Sequence, residues 1–134
     1  MRDHVYLDSS ALLKLVVLEP ESVALREFLR AYGSRIASAL AEVEVPRALR
    51  RAGYGAAEGR RAREILARIA LVDVDRRILR TAAALGPPSL RSLDAIHLAT
   101  ALLLGEDLAG IVTYDRRLSD AALGADLEVW APAS

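Results

Sequence analysis

The chain has 134 residues, no cysteine, and 18 basic against 18 acidic side chains, a formal net charge of zero. That length suits a single domain spanning residues 1–134, which buries roughly two-thirds of its unfolded surface and needs no metal or disulfide to fold. The missing cysteines exclude a disulfide framework, a thiolate nucleophile and a cysteine-based zinc site, and the balanced charge does not by itself mark a nucleic-acid binder.

In chain order, residues 5–7 (Val-Tyr-Leu) read as a strand that ends directly in Asp8 and turns through Ser9-Ser10 into a helix over about 10–17. Asp8 and Lys14 interrupt this apolar start, and no later run approaches the ~18 residues of a membrane span, so a soluble, cytoplasmic protein without a signal peptide is expected. Glu19-Pro20 breaks the first helix, and a second, amphipathic one follows over about 21–30. Residues 35–37 make a second short strand, after which Ser38 can cap a helix running toward Ala52, closed by Gly53 and Gly55.

Residues 56–70 read as an arginine-rich helix, 71–74 as a short apolar run, and 75–85 as another helix that stops before Gly86-Pro87-Pro88. In SLRSLDAIHLATALLLG, Ser92 is a natural N-cap, Leu93, Ile96, Ala99 and Leu103 form a stripe, and Gly105 ends the helix. Residues 110–113 follow as a strand, 115–123 as a helix and 127–129 as a last strand before Trp130. Short strands alternating with helices imply an α/β fold: a mostly parallel central sheet covered on both faces, with ligands collecting outside the carboxyl ends of the strands. Composition agrees, since hydrophobic residues reach 53% while aromatics are only 4%, which favours packed helices over a sheet sandwich.

Four acids from separate parts of the chain fall at that strand-end rim. Asp8 and Asp115 each lie one or two residues beyond an apolar strand run, and each can be read as a helix cap or as a charge held for chemistry. Asp94 sits in the first turn of its helix, where the macrodipole stabilises an anion by ~0.3–1 kcal/mol. His97 shares its face, either as a hydrogen-bonded core residue or as part of the site. At about 100° per residue, Glu44 falls on the apolar arc with Leu40, Val45, Ala48 and Ala52, while Glu42 falls opposite, so Glu44 is the inward acid. Pro46, inside the same helix, should kink it.

Clustered carboxylates repel and are tolerated mainly when divalent cations neutralise them. Oxygen-only ligation without cysteine selects Mg²⁺ or Mn²⁺ over Zn²⁺, and such ions activate water for phosphodiester cleavage. Between Arg47 and Arg68, seven arginines face only Glu58 and Glu64. Arg47, Arg50 and Arg51 are candidates for contacting an RNA backbone, and a solvated helical hairpin is the competing account. A haloacid-dehalogenase-like phosphatase is poorly matched, because Ser10 stands where that chemistry needs a second aspartate.

The blocks LDSSAL, ASALAEVEVPRALRR, LRSLDAIHLATAL and VTYDRRL, in this order and spacing, resemble the PIN-domain family and, within it, the VapC-type toxins of bacterial toxin–antitoxin pairs. The similarity spans nearly the whole chain. It implies a three-layer α/β/α sandwich and a Mg²⁺- or Mn²⁺-dependent endoribonuclease. Carried across, the family's four acids fall on Asp8, Glu44, Asp94 and Asp115. Asp8 and Asp94 are then the principal metal ligands, Glu44 and Asp115 complete the site directly or through water, and Ser9 and Thr113 are the supporting hydroxyls. The resemblance also implies a homodimer, an RNA substrate and a cognate VapB-like antitoxin. The alternative within this fold is an RNA-processing or RNA- or protein-binding domain that is not a toxin.

Overall fold

In the computed structural model, which describes residues 2–133, the elements follow one another as β1 (His4–Leu7), α1 (Ser9–Val16), α2 (Ser22–Leu29), β2 (Ser34–Ser38), α3 (Ala41–Arg51), α4 (Ala56–Leu66), β3 (Ala70–Val72), α5 (Arg76–Ala84), α6 (Ser92–Leu103), β4 (Leu108–Val112), α7 (Arg116–Gly124) and β5 (Val129–Trp130), with a 3₁₀ turn at Gly105–Asp107. The strands form one parallel sheet in the order β3-β2-β1-β4-β5. Helical crossovers join them, as parallel neighbours require.

Strand alternation divides the core in two. Val5 and Leu7 of β1, with Ala37 and Val112, face a layer built from α1 to α4 through Leu12, Leu15, Leu25, Leu29, Val45, Leu49 and Leu66. Tyr6, Ile36 and Ile111 point the other way, against Leu98 of α6 and Leu118, Ala121 and Ala122 of α7. Helix α5 packs on α6 through Ile78, Ala82, Ala95 and Ala99. The three-layer α/β/α sandwich expected from the sequence is the observed architecture. Because both faces are covered, the strands are buried on either side, as their nearly unbroken apolar runs anticipate.

The strand order decides where a site can form. The chain winds from β1 outward to β2 and β3, then returns to the other side of β1 for β4 and β5. The reversal leaves a crevice at the carboxyl ends of β1 and β4. Asp8 directly follows β1, and Thr113 directly follows β4.

Several boundaries differ from the sequence expectation for identifiable reasons. Helix α4 stops at Leu66 instead of continuing to Ala70, because Ala70 pairs with Ile36 as the first residue of β3. Ser38 ends β2 rather than capping α3; its Oγ accepts the Leu40 N–H at 3.1 Å in the turn between them. Ser92 is the first residue of α6, with Arg91 in the N-cap position and no side-chain cap bond there. The predicted apolar stripe of α6 is displaced too: Leu93 and Leu103 are 48% and 37% exposed. The buried arc is instead Ala95 and residues 97–101, since α6 lies between the sheet and two other helices. Helix α3 runs unbroken through Pro46. The N–H that proline lacks would have reached the carbonyl of Glu42, an exposed residue where solvent can take its place. Among the described residues, no helix is long and apolar enough to cross a membrane.

Gly110 allows β4 and β5 to close beside an indole. A Cβ at this position would collide with the Trp130 ring and approach the Glu128 carbonyl oxygen to 2.8 Å. Trp130 is itself held by Phe28 and Tyr32, with ring centroids 5.0 and 5.6 Å away, so it cannot yield freely. Gly110→Ala should destabilise the protein by about 1–3 kcal/mol. At Gly59 in α4 an added Cβ meets nothing nearer than Arg63 at 3.9 Å, and Gly59→Ala should be stabilising by up to about 1 kcal/mol through helix propensity. Thermal melts of the two variants check both signs.

Candidate active site

Asp8 serves both as a cap and as a buried charge. Its Oδ1 accepts the Ala11 N–H at 3.0 Å and the Ser10 hydroxyl at 2.7 Å, and its Oδ2 accepts the Thr113 hydroxyl at 2.6 Å. The residue is only 4% exposed. A carboxylate offers about four lone-pair sites; these bonds leave one, on Oδ2. Burial pushes the carboxyl above its ordinary pKa, while the donors from Ser10, Thr113 and Ala11, with His97 nearby, oppose that shift.

Two hydroxyls fasten the β4–α7 turn to the β1–α1 turn. Thr113 Oγ1 donates to Asp8 and accepts the Asp115 N–H at 3.0 Å. Ser10 Oγ donates to Asp8 and accepts the Tyr114 N–H at 2.9 Å. Asp115 in turn caps α7 through Oδ1, which receives the N–H groups of Arg117 at 2.8 Å and Leu118 at 3.4 Å. Its Oδ2 takes no part in the cap. Each capping acid therefore keeps oxygen capacity beyond what its helix uses.

Glu44 lies in the first turn of α3, half-buried as the helical arc predicts, whereas Glu42 is exposed. Its Oε1 accepts the Ser9 hydroxyl and His97 Nε2–H, both at 2.7 Å. Burial disfavours the charged form, but the His97 and Ser9 interactions outweigh it and hold this carboxyl below its ordinary value. His97 is 3% exposed on the inner arc of α6 and receives the Tyr6 hydroxyl on Nδ1 at 2.6 Å. Burial, then the charges of Asp8 and Glu44, raise the Tyr6 phenol well above its usual value, so it stays a neutral donor. In the neutral ring, a phenol donating to Nδ1 goes with a proton on Nε2 that faces Glu44. Sequence reasoning left His97 between core and site, and it belongs to both. Its partnership with Glu44 was not foreseen, because its members come together only through the order of the strands.

Asp94 occupies the first turn of α6 and takes no hydrogen bond from the described residues. Burial raises its pKa, followed by the charge of Asp115; His97 opposes the shift, and Asp8 and Glu44 add to it. Asp115, Asp8 and Glu44 thus lie close enough for their charges to act on Asp94. The fold thus gathers Asp8, Glu44, Asp94 and Asp115, with Ser9 and Thr113 as their hydroxyl supports.

The available donors suit a hard, partly hydrated cation. Every free lone pair belongs to oxygen: both oxygens of Asp94, one site on Asp8, and the unused oxygens of Glu44 and Asp115. Among the described residues no three of His, Cys, Asp or Glu close tightly enough to enclose an ion on side chains alone. Mg²⁺ is commonly held by one or two carboxylates with waters filling the remaining positions, and this donor set fits that habit.

The arginines divide by position. Arg47, Arg50 and Arg51 are exposed on α3, and at about 1.5 Å per residue the latter two stand roughly 9–11 Å along the axis beyond Glu44. Arg91 and Arg117, which sequence reasoning passed over, line a cleft of about 500 Å³ with Ser89, Leu90 and Asp120. They flank the starts of α6 and α7, three residues before Asp94 and two after Asp115.

Comparison with known proteins gives a consistent result. The PIN domain family model matches residues 5–123. The chain is 54% identical over 129 residues to Ribonuclease VapC46 of Mycobacterium tuberculosis, covering 96% of this chain and 97% of that one. It is 47% identical to Ribonuclease VapC35 of the same organism, covering 96% of each. Among solved structures, a toxin–antitoxin complex from Klebsiella pneumoniae superposes with a TM-score of 0.71 at 22% identity, over 97% of this chain and 98% of that one. M. tuberculosis VapC20, a toxin that cleaves the sarcin–ricin loop, superposes with a TM-score of 0.70 at 15% identity, over 87% and 94%. At such identities these two structures speak for the fold.

The raised carboxyls make a prediction about stability. Asp8 and Asp94 bind protons more tightly folded than unfolded, so their contribution is favourable below the unfolded pKa and is lost as pH rises through the folded one. At neutral pH the ion-free protein therefore carries a penalty that Asp94→Asn removes. Asp94→Asn should raise the ion-free melting temperature at pH 7 by a few degrees and flatten its decline above the acid range. It should also diminish any gain on adding Mg²⁺ or Mn²⁺. Melts across pH, with and without ion, test both parts.

Proposed function

Because the chain belongs to the PIN-domain family and, within it, to the VapC ribonucleases, we propose that it is a Mg²⁺- or Mn²⁺-dependent endoribonuclease and the toxin of a toxin–antitoxin pair. The observation that carries this reading is the convergence of four acids at the switch-point crevice, with their unused lone pairs all on oxygen. RNA is the substrate, and a VapB-like antitoxin is the partner that keeps the crevice closed. The active form is a homodimer in the cytoplasm.

Asp8 and Asp94 hold the ion, and Glu44 and Asp115 act directly or through its water shell. A bound divalent ion supplies an activated water and offsets charge on the scissile phosphate. The protein's part is positional. Ser10, Thr113 and the Ala11 N–H fix Asp8 with one lone pair to spare. Ser9 and His97 occupy one oxygen of Glu44 and leave the other. Asp94, free of protein donors, is the most adaptable ligand. Burial keeps competing water from the inner side of the site, where charge–charge interactions are strongest. Arg47, Arg50 and Arg51 on one side, and Arg91 and Arg117 on the other, offer phosphate contacts to a strand crossing the rim. With few aromatics to stack bases, recognition rests on RNA shape and phosphate placement.

Purified protein should cleave a structured RNA with Mg²⁺ or Mn²⁺ and stop when the ion is chelated. Asp8→Ala and Asp94→Ala should each lower the rate by roughly 10²–10⁴-fold, the equivalent of several kcal/mol of lost charge stabilisation. A gel assay of end-labelled RNA measures this; wild-type rates in both variants, or no cleavage with either ion, would refute the reading.

A further inference from the structure

One buried hydrogen-bond chain at the rim has no place among the acids themselves. It starts at the Tyr6 hydroxyl in β1, passes through both nitrogens of His97 in α6, and ends on Oε1 of Glu44 in α3, where Ser9 from α1 adds a second donor. The two His97 links, 2.6 and 2.7 Å long, join residues 91 and 53 positions apart in sequence. Tyr6 is fully buried and His97 is 3% exposed.

We infer that Tyr6 and His97 are a positioning pair that holds Glu44 in a single orientation, with Oε1 saturated by two donors and Oε2 reserved for the ion or its water shell. The inference rests on the reading of Glu44 as an acid of the nuclease site.

Three observations carry it. Both nitrogens of His97 are engaged, so the ring is neither a free ligand nor a free base. The residue acts through Glu44 or only as packing. Second, the chain is directional: the phenol can only donate to Nδ1 when Nε2 carries the proton aimed at the carboxylate. Removing the phenol would free the ring to adopt the other tautomer, which points a lone pair at Glu44. Third, each partner sits on a different element, and the ring packs edge-on to Tyr6 at 5.9 Å between centroids. The orientation of Glu44 is therefore set by the packing of α6 on the sheet and not by α3 alone. The separation matters because Glu44 has three side-chain torsions, and a carboxylate free to rotate would present either oxygen to the ion. Groups placed behind a metal ligand in this way typically change ion affinity or activity 10–100-fold when removed.

The test uses the intact protein and Mn²⁺ as the probe. Tyr6→Phe removes one hydroxyl and keeps the ring; His97→Gln keeps a donor in place of Nε2. Mn²⁺ affinity, measured by electron paramagnetic resonance, should weaken about tenfold in His97→Gln and severalfold in Tyr6→Phe. In a Glu44→Gln background neither change should weaken it further, the mark of residues that act through Glu44. Nitrogen-15 NMR of the ion-free protein should show one Nε2–H tautomer in wild type and a mixture in Tyr6→Phe. The same affinity losses in the Glu44→Gln background would overturn the inference, as would unchanged affinity in a folded Tyr6→Phe, the variant that stays informative if His97→Gln does not fold. Wild-type protein that binds no Mn²⁺ would instead overturn the nuclease reading, and this inference with it.

Discussion

Burying the carboxylate of Asp8 at the end of a parallel strand is the constraint on which the site depends. A charge there would be costly without partners, and the fold supplies them from three directions: the α1 backbone through Ala11, the Ser10 hydroxyl beside it, and Thr113 from the neighbouring strand. Those partners also set geometry. Thr113 and Ser10 each bond onward to the β4–α7 turn, so satisfying Asp8 simultaneously places Asp115. The cap that starts α1, the pairing of β1 with β4 and the spacing of two site acids are one arrangement.

A second system, with different chemistry, governs the opposite side of the rim. Glu44 is held below its ordinary pKa and Asp8 and Asp94 are raised above theirs. The difference follows from burial set against partners: burial raises Asp8 in spite of its three donors and raises Asp94, where the charge of Asp115 and those of Asp8 and Glu44 add to it, whereas at Glu44 the histidine and the serine outweigh burial. A rim so divided has one carboxylate ionised at little cost and two whose charge burial and repulsion oppose.

The strand ends were legible because acids directly after apolar runs have few places to go in a parallel sheet, which is why Asp8 and Asp115 could be put at the rim from residue order alone. Glu44 was separable from Glu42 by helical arithmetic, and the structure keeps that assignment even with Pro46 two residues on. The α6 helix was read less well. Its expected stripe assumed a single buried face, but packing against the sheet and two helices buries a broader arc, so Leu93 and Leu103 lie outside while His97 and Thr100 lie inside. The Tyr6–His97–Glu44 chain was beyond sequence periodicity, since its members come together only through the order of the strands. The arginines illustrate the converse: the dense run over α3 and α4 is the conspicuous one in sequence, whereas Arg91 and Arg117, far apart in the chain, line one cleft beside the starts of α6 and α7.

The central claim is that the four acids form one ion-binding rim at the switch point between β1 and β4. Paramagnetic broadening of backbone amide signals as Mn²⁺ is added to isotope-labelled protein tests it most directly. The account predicts that the earliest losses fall around Asp8, Glu44, the first turn of α6 and the β4–α7 turn, with the amino-terminal ends of the strands spared. Broadening centred elsewhere, or spread evenly over the surface acids, would contradict it.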